Sequence, residues 1–292
     1  MVGHAGEENF RHQVTFFTTP KAFEGKIAIA QQNAIHSWRK IADVVLIGDE
    51  PGIQKLATEL GVNYVPNVAK NENGTPLLSS AFELARSAAT TPYLIYCNCD
   101  IILFDDFESA VQEIIAMPGI GHFLATSQRT TALVSQRIDF DDEESVARLK
   151  NHARKTGKLD SLVCKELFVF PRELYKEMPA FAVGRGNWDN WMVHNAKQNQ
   201  VPVISLTDRI LTLHQEHDHT HAGNRYSAYV SGTEARTNQR LANGRHLISG
   251  STPDFFLADK GLRPARMQCI NGEFWMDFPR FMQLLLNFVG LR

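Results

Sequence analysis

The sequence predicts an α/β domain whose mostly parallel central sheet is flanked by helices, and two observations carry that prediction. Over the first hundred residues, apolar runs of strand length alternate with stretches of helical apolar spacing. That alternation implies parallel strands joined by right-handed crossovers. The second observation is the run Tyr93-Leu94-Ile95-Tyr96-Cys97-Asn98-Cys99-Asp100-Ile101-Ile102-Leu103, apolar until it is broken at Asn98 and Asp100. It reads as a central strand of a covered sheet, and open α/β sheets bind ligands at the carboxyl ends of such strands. Asn98 and Asp100, two apart in an extended chain, share a side and offer two oxygens to one hard cation such as Mg²⁺ or Mn²⁺. Capping of the next helix is the other role open to Asp100.

In order along the chain, Val14–Pro20 is the first strand, and Gly25–Ile41 is a helix with Ile27, Ala30, Ala34 and Trp38 at helical spacing. Asp43–Gly48 is a strand, Ile53–Leu60 a helix stopped by Gly61, and Asn63–Val65 a short strand. A polar loop through Gly74 leads into a helix from Pro76 to about Ala88, before the run that holds Asp100. Further on, Gly121–Thr126 reads as a strand, Glu143–Lys155 as a charged surface helix and Leu167–Pro171 as a strand ended by proline. Trp188–Lys197 is then a helix and Val201–Leu206 a strand. Phe274–Leu291 carries Phe278, Phe281, Met282, Leu285, Phe288 and Val289 at helical spacing. That amphipathic helix predicts docking on the domain, on a second copy as a homo-oligomer, or as a peripheral contact.

At 292 residues the chain fits one large domain with an extension, here divided as 1–245 and 246–292. The net charge of −2, from 30 basic against 32 acidic residues, gives no general attraction to nucleic acid or to an acidic membrane. Met1–Arg11 is polar and no run reaches the length of a spanning helix, which predicts a cytoplasmic protein. Cys97, Cys99, Cys164 and Cys269 form no C-x-x-C pair and are read as reduced and structural.

Neither a G-x-G-x-x-G fingerprint nor a G-x-x-x-x-G-K-[ST] loop follows the first strand, which argues against a Rossmann dehydrogenase and a P-loop nucleotidase. The first strand ends instead in Thr18-Thr19-Pro20 and the second in Gly48-Asp49-Glu50, where a carboxylate can accept from a base or ribose; turn chemistry accounts for the same residues. The segment Leu213-His214-Gln215-Glu216-His217-Asp218-His219-Thr220-His221 places imidazoles together in either backbone geometry. An extended chain aligns His217, His219 and His221, whereas a helix aligns His214, His217 and His221. Three imidazoles suit Zn²⁺, and one imidazole with a carboxylate and phosphate oxygens suits Mn²⁺. Finally, Gly184-Arg185-Gly186-Asn187-Trp188-Asp189-Asn190-Trp191 opens a helix with two tryptophans and an acid in its first turn, a combination that can hold a sugar ring or simply complement the helix dipole.

Together these features resemble the GT-A, nucleotide-diphospho-sugar transferase type of glycosyltransferase over roughly Val14 to Leu241, with Asn98-Cys99-Asp100 in the place of an Asp-x-Asp-like motif. The departure is Asn98, a neutral oxygen for a charged one. The resemblance implies a GT-A-like fold and a divalent cation, manganese or magnesium, held by Asp100 with His217 and His219 on the donor diphosphate. It places the nucleotide-sugar against Thr18, Thr19, Pro20, Asp49, Gly74, Ser79, Asn98, Arg129 and Trp188, and makes Asp189 the catalytic acid residue on the acceptor side. Gly-Arg-Gly-x-Trp-Asp-x-Trp followed by His-Gln-x-His-Asp-x-x-His looks like a less-characterised branch of the superfamily, for which Glu166, His214, His221, Glu234 and Asn238 are further candidates. The function implied is sugar transfer from a nucleotide-diphosphate donor to a hydroxyl on a glycan, lipid or small molecule. The alternatives are a sugar-phosphate nucleotidyltransferase and a non-catalytic sugar-nucleotide-binding protein.

Overall fold

The computed structural model describes residues 10–216, 232–243 and 252–265, together with the backbone of 268–270 and 273–275. In chain order the elements are β1 (Val14–Thr18), α1 (Gly25–Ile41), β2 (Asp43–Ile47), α2 (Ile53–Leu60), β3 (Asn63–Val65), α3 (Leu78–Ala88), β4 (Tyr93–Cys97), β5 (Ile101–Ile102) and α4 (Asp106–Ile115). They continue as β6 (Leu124–Gln128), β7 (Thr130–Leu133), α5 (Glu143–Thr156), β8 (Lys158–Leu159), β9 (Lys165–Pro171), α6 (Trp188–Gln198), β10 (Val203–Ser205) and β11 (Leu213–Glu216). Last come α7 (Thr233–Leu241), β12 (Phe255–Ala258), β13 (Gly261–Pro264) and a hairpin of β14 (Gln268–Ile270) and β15 (Glu273–Trp275).

The main sheet runs β13-β12-β10-β6-β9-β4-β1-β2-β3. On one side β3, β2, β1 and β4 are mutually parallel, and on the other β6, β10 and β12 are. Between these halves β9 runs antiparallel to both β4 and β6, so it begins where they end. Helices cover both faces: α1, α2 and α4 supply Ala34, Ile35, Trp38, Leu56 and Phe107 to one core, and α3 and α6 supply Phe82, Ala85, Met192 and Val193 to the other. That double cover is why β1 and β4 read as continuous apolar runs, with Phe16 and Phe17 in opposite cores.

A smaller sheet, β5-β11-β7-β8, springs from the carboxyl edge of the main one. Its core of Ile102, Phe104, Ala132, Leu211 and Leu213 is closed by Leu149 and Ala153 of α5. Gly157 ends α5 tightly against β7; a Cβ there would lie 2.4 Å from the Ala153 carbonyl oxygen and 2.5 Å from Thr130 Cγ2.

Helices α1 and α2 and strand β3 have the predicted bounds. The predicted strand from Tyr93 is two strands with a turn between them, and α4 and β7 were not anticipated. The stretch assigned to a C-terminal extension adds β12 and β13 to the main sheet, because Phe255, Phe256 and Leu257 bury against it. Phe274 and Trp275, taken as the start of a helix, lie in β15; residues 276–292, and with them the helix on which the oligomer or peripheral contact depends, lie outside the described residues. No helix among the described residues is long and apolar enough to cross a membrane.

Candidate active site

After β4 the chain leaves the main sheet through a turn at Cys99 and Asp100, closed by Ile101 N–H donating to the Asn98 carbonyl at 3.1 Å. The chain is therefore not extended there, and the argument that Asn98 and Asp100 share a side fails. Two other strand ends meet the turn instead. Glu166, second residue of β9, arrives beside it because β9 is antiparallel, and its carbonyl accepts from Asn98 N–H at 2.9 Å. His214 of β11 stands opposite Ile101 in an antiparallel pair with β5. One ligand atom from each of Asp100, Glu166 and His214 lies within 4.8 Å of the others, and His214 Nε2 is 3.7 Å from Asp100 Oδ2.

These three side chains are held from two directions. Arg129, in the link from β6 to β7, pairs with Glu166 and also with Asp160, its Nε donating to Oδ2 at 2.7 Å. From the other direction α1 buries polar residues toward the turn. Asn33 Nδ2 donates to Gln215 Oε1 at 2.9 Å, and Gln215 Nε2 donates to the Ala30 carbonyl at 2.8 Å. Gln215 N–H also donates to the Asp100 carbonyl at 3.1 Å, and Trp38 Nε1 donates to the Ile101 carbonyl at 2.9 Å.

Burial pushes the Glu166 carboxyl up to about 7, and neighbouring Asp100 adds to the shift while His214 and Arg129 oppose it. For His214 burial lowers the imidazole, but the hydrogen bond and charge of Asp100, with the charge of Glu166, leave it raised. The Glu166 shift thus reflects burial first and the Asp100 charge second, and the His214 shift reflects the two carboxylates beside it. Glu166 Oε2 is buried with no hydrogen-bond partner among the described residues. Two carboxylates and an imidazole suit Mn²⁺ or Mg²⁺, so the donor set fits the expected cation.

Asp189 lies in the first turn of α6, 8% exposed, and burial raises its carboxyl while the charge of Lys165 lowers it. Its Oδ1 has no hydrogen-bond partner among the described residues. Burial in turn pushes Lys165 down to about 8, with Asp189 opposing. Trp188 does not present a face to a sugar: it is 5% exposed, its ring 5.1 Å from Tyr96 and 5.5 Å from Phe168. An aromatic beside an acid looks the same in sequence whether it lines a cleft or fills a core.

Glu234 and Asn238 share one side of α7 but serve as braces. Glu234 pairs with Arg185 (Nε to Oε2, 2.8 Å) and accepts from Asn71 Nδ2 at 2.6 Å; Asn238 accepts from Ala182 N–H at 2.9 Å and donates to the Ala182 carbonyl. The same contacts fix the loop where Gly74 turns at φ +76°. Thr18 ends β1, Thr19 and Pro20 follow it, and Gln31 holds the next residue, Lys21, through both its backbone N–H and its carbonyl. Asp49 follows β2 and is paired with Lys70 at 2.6 Å, while Ser79 is half-buried in the first turn of α3. Thus Thr18, Asp49 and Asp100 lie at the carboxyl ends of three parallel strands. His217, His219 and His221 lie outside the described residues; at His214 to Glu216 the chain is extended, not helical. Thr131 and Asp160 were missed, since their place depends on strand register, which no local motif encodes.

The cysteines Cys97, Cys99 and Cys164 are free, as expected, and burial raises the first two well above the usual thiol range. No protein-family model matches the chain, and no curated protein matches it. Among solved structures, it is similar to glucosyl-3-phosphoglycerate synthase from Mycobacterium tuberculosis in complex with phosphoglyceric acid, at 14% identity and a TM-score of 0.47 over 83% of each chain. The complex of that enzyme with Mn²⁺, uridine-diphosphate-glucose and phosphoglyceric acid gives 15% and 0.46 over 82% of each chain, and its complex with uridine-diphosphate gives 13% and 0.46, again over 82% of each. At that distance every residue assignment rests on this chain's own geometry.

Proposed function

We propose that this chain is a glycosyltransferase that moves a sugar from a nucleotide-diphosphate donor to a hydroxyl acceptor with the help of Mn²⁺ or Mg²⁺. The observation that supports this reading most is the cluster of Asp100, Glu166 and His214 at the carboxyl end of β4, in an α/β sheet that lacks a dinucleotide or P-loop fingerprint. Bound there, the cation would supply Lewis-acid stabilisation of the negative charge that builds on the departing diphosphate. The protein's own part is to hold Asp100, Glu166 and His214 in place through Arg129 and the polar face of α1. Thr18, Thr19, Pro20 and Asp49 then bind the nucleoside from the neighbouring strand ends, with Asn98, Gly74 and Ser79 toward the ribose and phosphates.

Asp189 is the acceptor-side acid. Its raised carboxyl makes it a stronger base than an exposed aspartate once ionised. In an inverting reaction it takes the acceptor hydroxyl proton onto a carboxylate oxygen; in a retaining one it orients acceptor or donor. The free thiols agree with a reducing compartment, and we place the reaction in the cytosol.

A screen of donor hydrolysis across nucleotide sugars, with and without Mn²⁺, tests the proposal because slow hydrolysis needs no acceptor. Mn²⁺-dependent release of a nucleoside diphosphate from one donor is expected. Tight binding without hydrolysis selects the sugar-nucleotide-binding alternative, and release of pyrophosphate from a nucleoside triphosphate with a sugar phosphate selects the nucleotidyltransferase.

A further inference from the structure

We propose that Thr131 is a positioning residue that sets the tautomer of His214, keeping the imidazole proton on Nδ1 and leaving the Nε2 lone pair for a cation shared with Asp100 and Glu166. The inference rests on the metal-assisted reading above. Strands β7 and β11 are parallel, and Thr131 is the register partner of His214. That pairing puts the hydroxyl 3.1 Å from Nδ1. The same hydroxyl lies 2.7 Å from Asp160 Oδ2. A threonine hydroxyl carries one proton, and a carboxylate paired with Arg129 has none to give. The hydroxyl therefore donates to Asp160 and meets His214 with a lone pair, and only an Nδ1–H completes that contact.

The consequence is directional. In the neutral ring, the form that can bind a cation, a proton fixed on Nδ1 leaves Nε2 unprotonated on the side where Asp100 and Glu166 converge. The ring nitrogen that binds a metal is commonly chosen this way, by the hydrogen bond that the other nitrogen makes. Asp160 thereby supports two of the three ligands, His214 through Thr131 and Glu166 through Arg129.

Two measurements test the inference. Mn²⁺ alone is titrated into the wild-type protein, Thr131→Ser and Thr131→Val, and the free ion is followed by electron paramagnetic resonance. The serine variant keeps the hydroxyl and is expected to bind as the wild type does; the valine variant keeps the shape and is expected to bind about 10–100-fold more weakly, the usual cost of losing such a support. Independently of any variant, ¹⁵N spectra of the wild-type protein labelled at histidine and loaded with diamagnetic Zn²⁺ should show His214 protonated at Nδ1 and not at Nε2. Equal Mn²⁺ affinity in all three proteins, or a His214 proton on Nε2 in the loaded protein, overturns the role of Thr131 and leaves the metal site standing. Failure of the wild type itself to bind Mn²⁺ overturns the metal-assisted reading and this inference with it.

Discussion

Trp38 of α1 donates its indole N–H to the carbonyl of Ile101, the residue after Asp100, at 2.9 Å. A helix on one face of the sheet thus fixes the backbone that carries the candidate metal ligand. Trp38→Phe keeps most of the apolar contact with Phe16, which stacks on the indole at 5.6 Å, but leaves the buried carbonyl without this donor. The expected loss is about 1–3 kcal/mol in urea unfolding, together with weaker Mn²⁺ binding. Unchanged Mn²⁺ affinity in a destabilised variant would separate the fold from the site.

Asp100→Ala should remove metal-dependent binding of a nucleoside diphosphate while far-ultraviolet dichroism stays the same, because the side chain lies in a turn and carries no core packing. Calorimetry should show the affinity gain from Mn²⁺ falling by more than the roughly 10–100-fold that loss of a supporting residue costs.

Asp189→Asn preserves size and hydrogen-bonding shape but removes basicity. Turnover should fall by about two to four powers of ten with donor affinity kept, which steady-state kinetics beside calorimetry will show. Equal turnover would exclude Asp189 as the base.

Burial raises the Glu234 carboxyl, but hydrogen bonds from Thr75, Asn71 and Arg185 lower it by more, so its folded value lies below the ordinary 4.5. Such a depressed carboxyl contributes stability that is complete above the unfolded value and is lost as pH falls from there through the folded value. Unfolding midpoints measured from pH 7 to pH 3 should show this acid-side decline, and Glu234→Gln should start lower and decline less.

Gly157→Ala forces a methyl into the 2.4–2.5 Å gap before the Ala153 carbonyl and Thr130. The overpacking should cost about 1–3 kcal/mol in thermal or urea unfolding. Because the strain falls on β7, one residue from Thr131, Mn²⁺ affinity should drop as well.

What was legible in the sequence is what local pattern encodes. Gly25–Ile41 is readable because Ala30, Ala34 and Trp38 repeat at helical spacing, and Ile53–Leu60 because Gly61 adopts the left-handed conformation that stops it. Asp100 was legible as a polar break in an apolar run. Glu166 and His214 stood only as further candidates, since strand direction and sheet order bring them to Asp100, and neither is written in a local motif. Trp188 was misread for the opposite reason: its local motif is clear, but burial is decided by Tyr96 and Phe168 from distant strands.

The reversed strand β9 also has a consequence for how the chain folds. It slots between β4 and β6 and brings Glu166 to Asp100, while His214 follows only after another forty-odd residues. During synthesis the edges of β4 and β6 must wait for it, and such long-range pairings form slowly. The cation site can therefore close only after the sheet around it has been assembled. An ion that requires all three ligands cannot seed folding, but its capture would report, as a late signal, that the whole topology is in place.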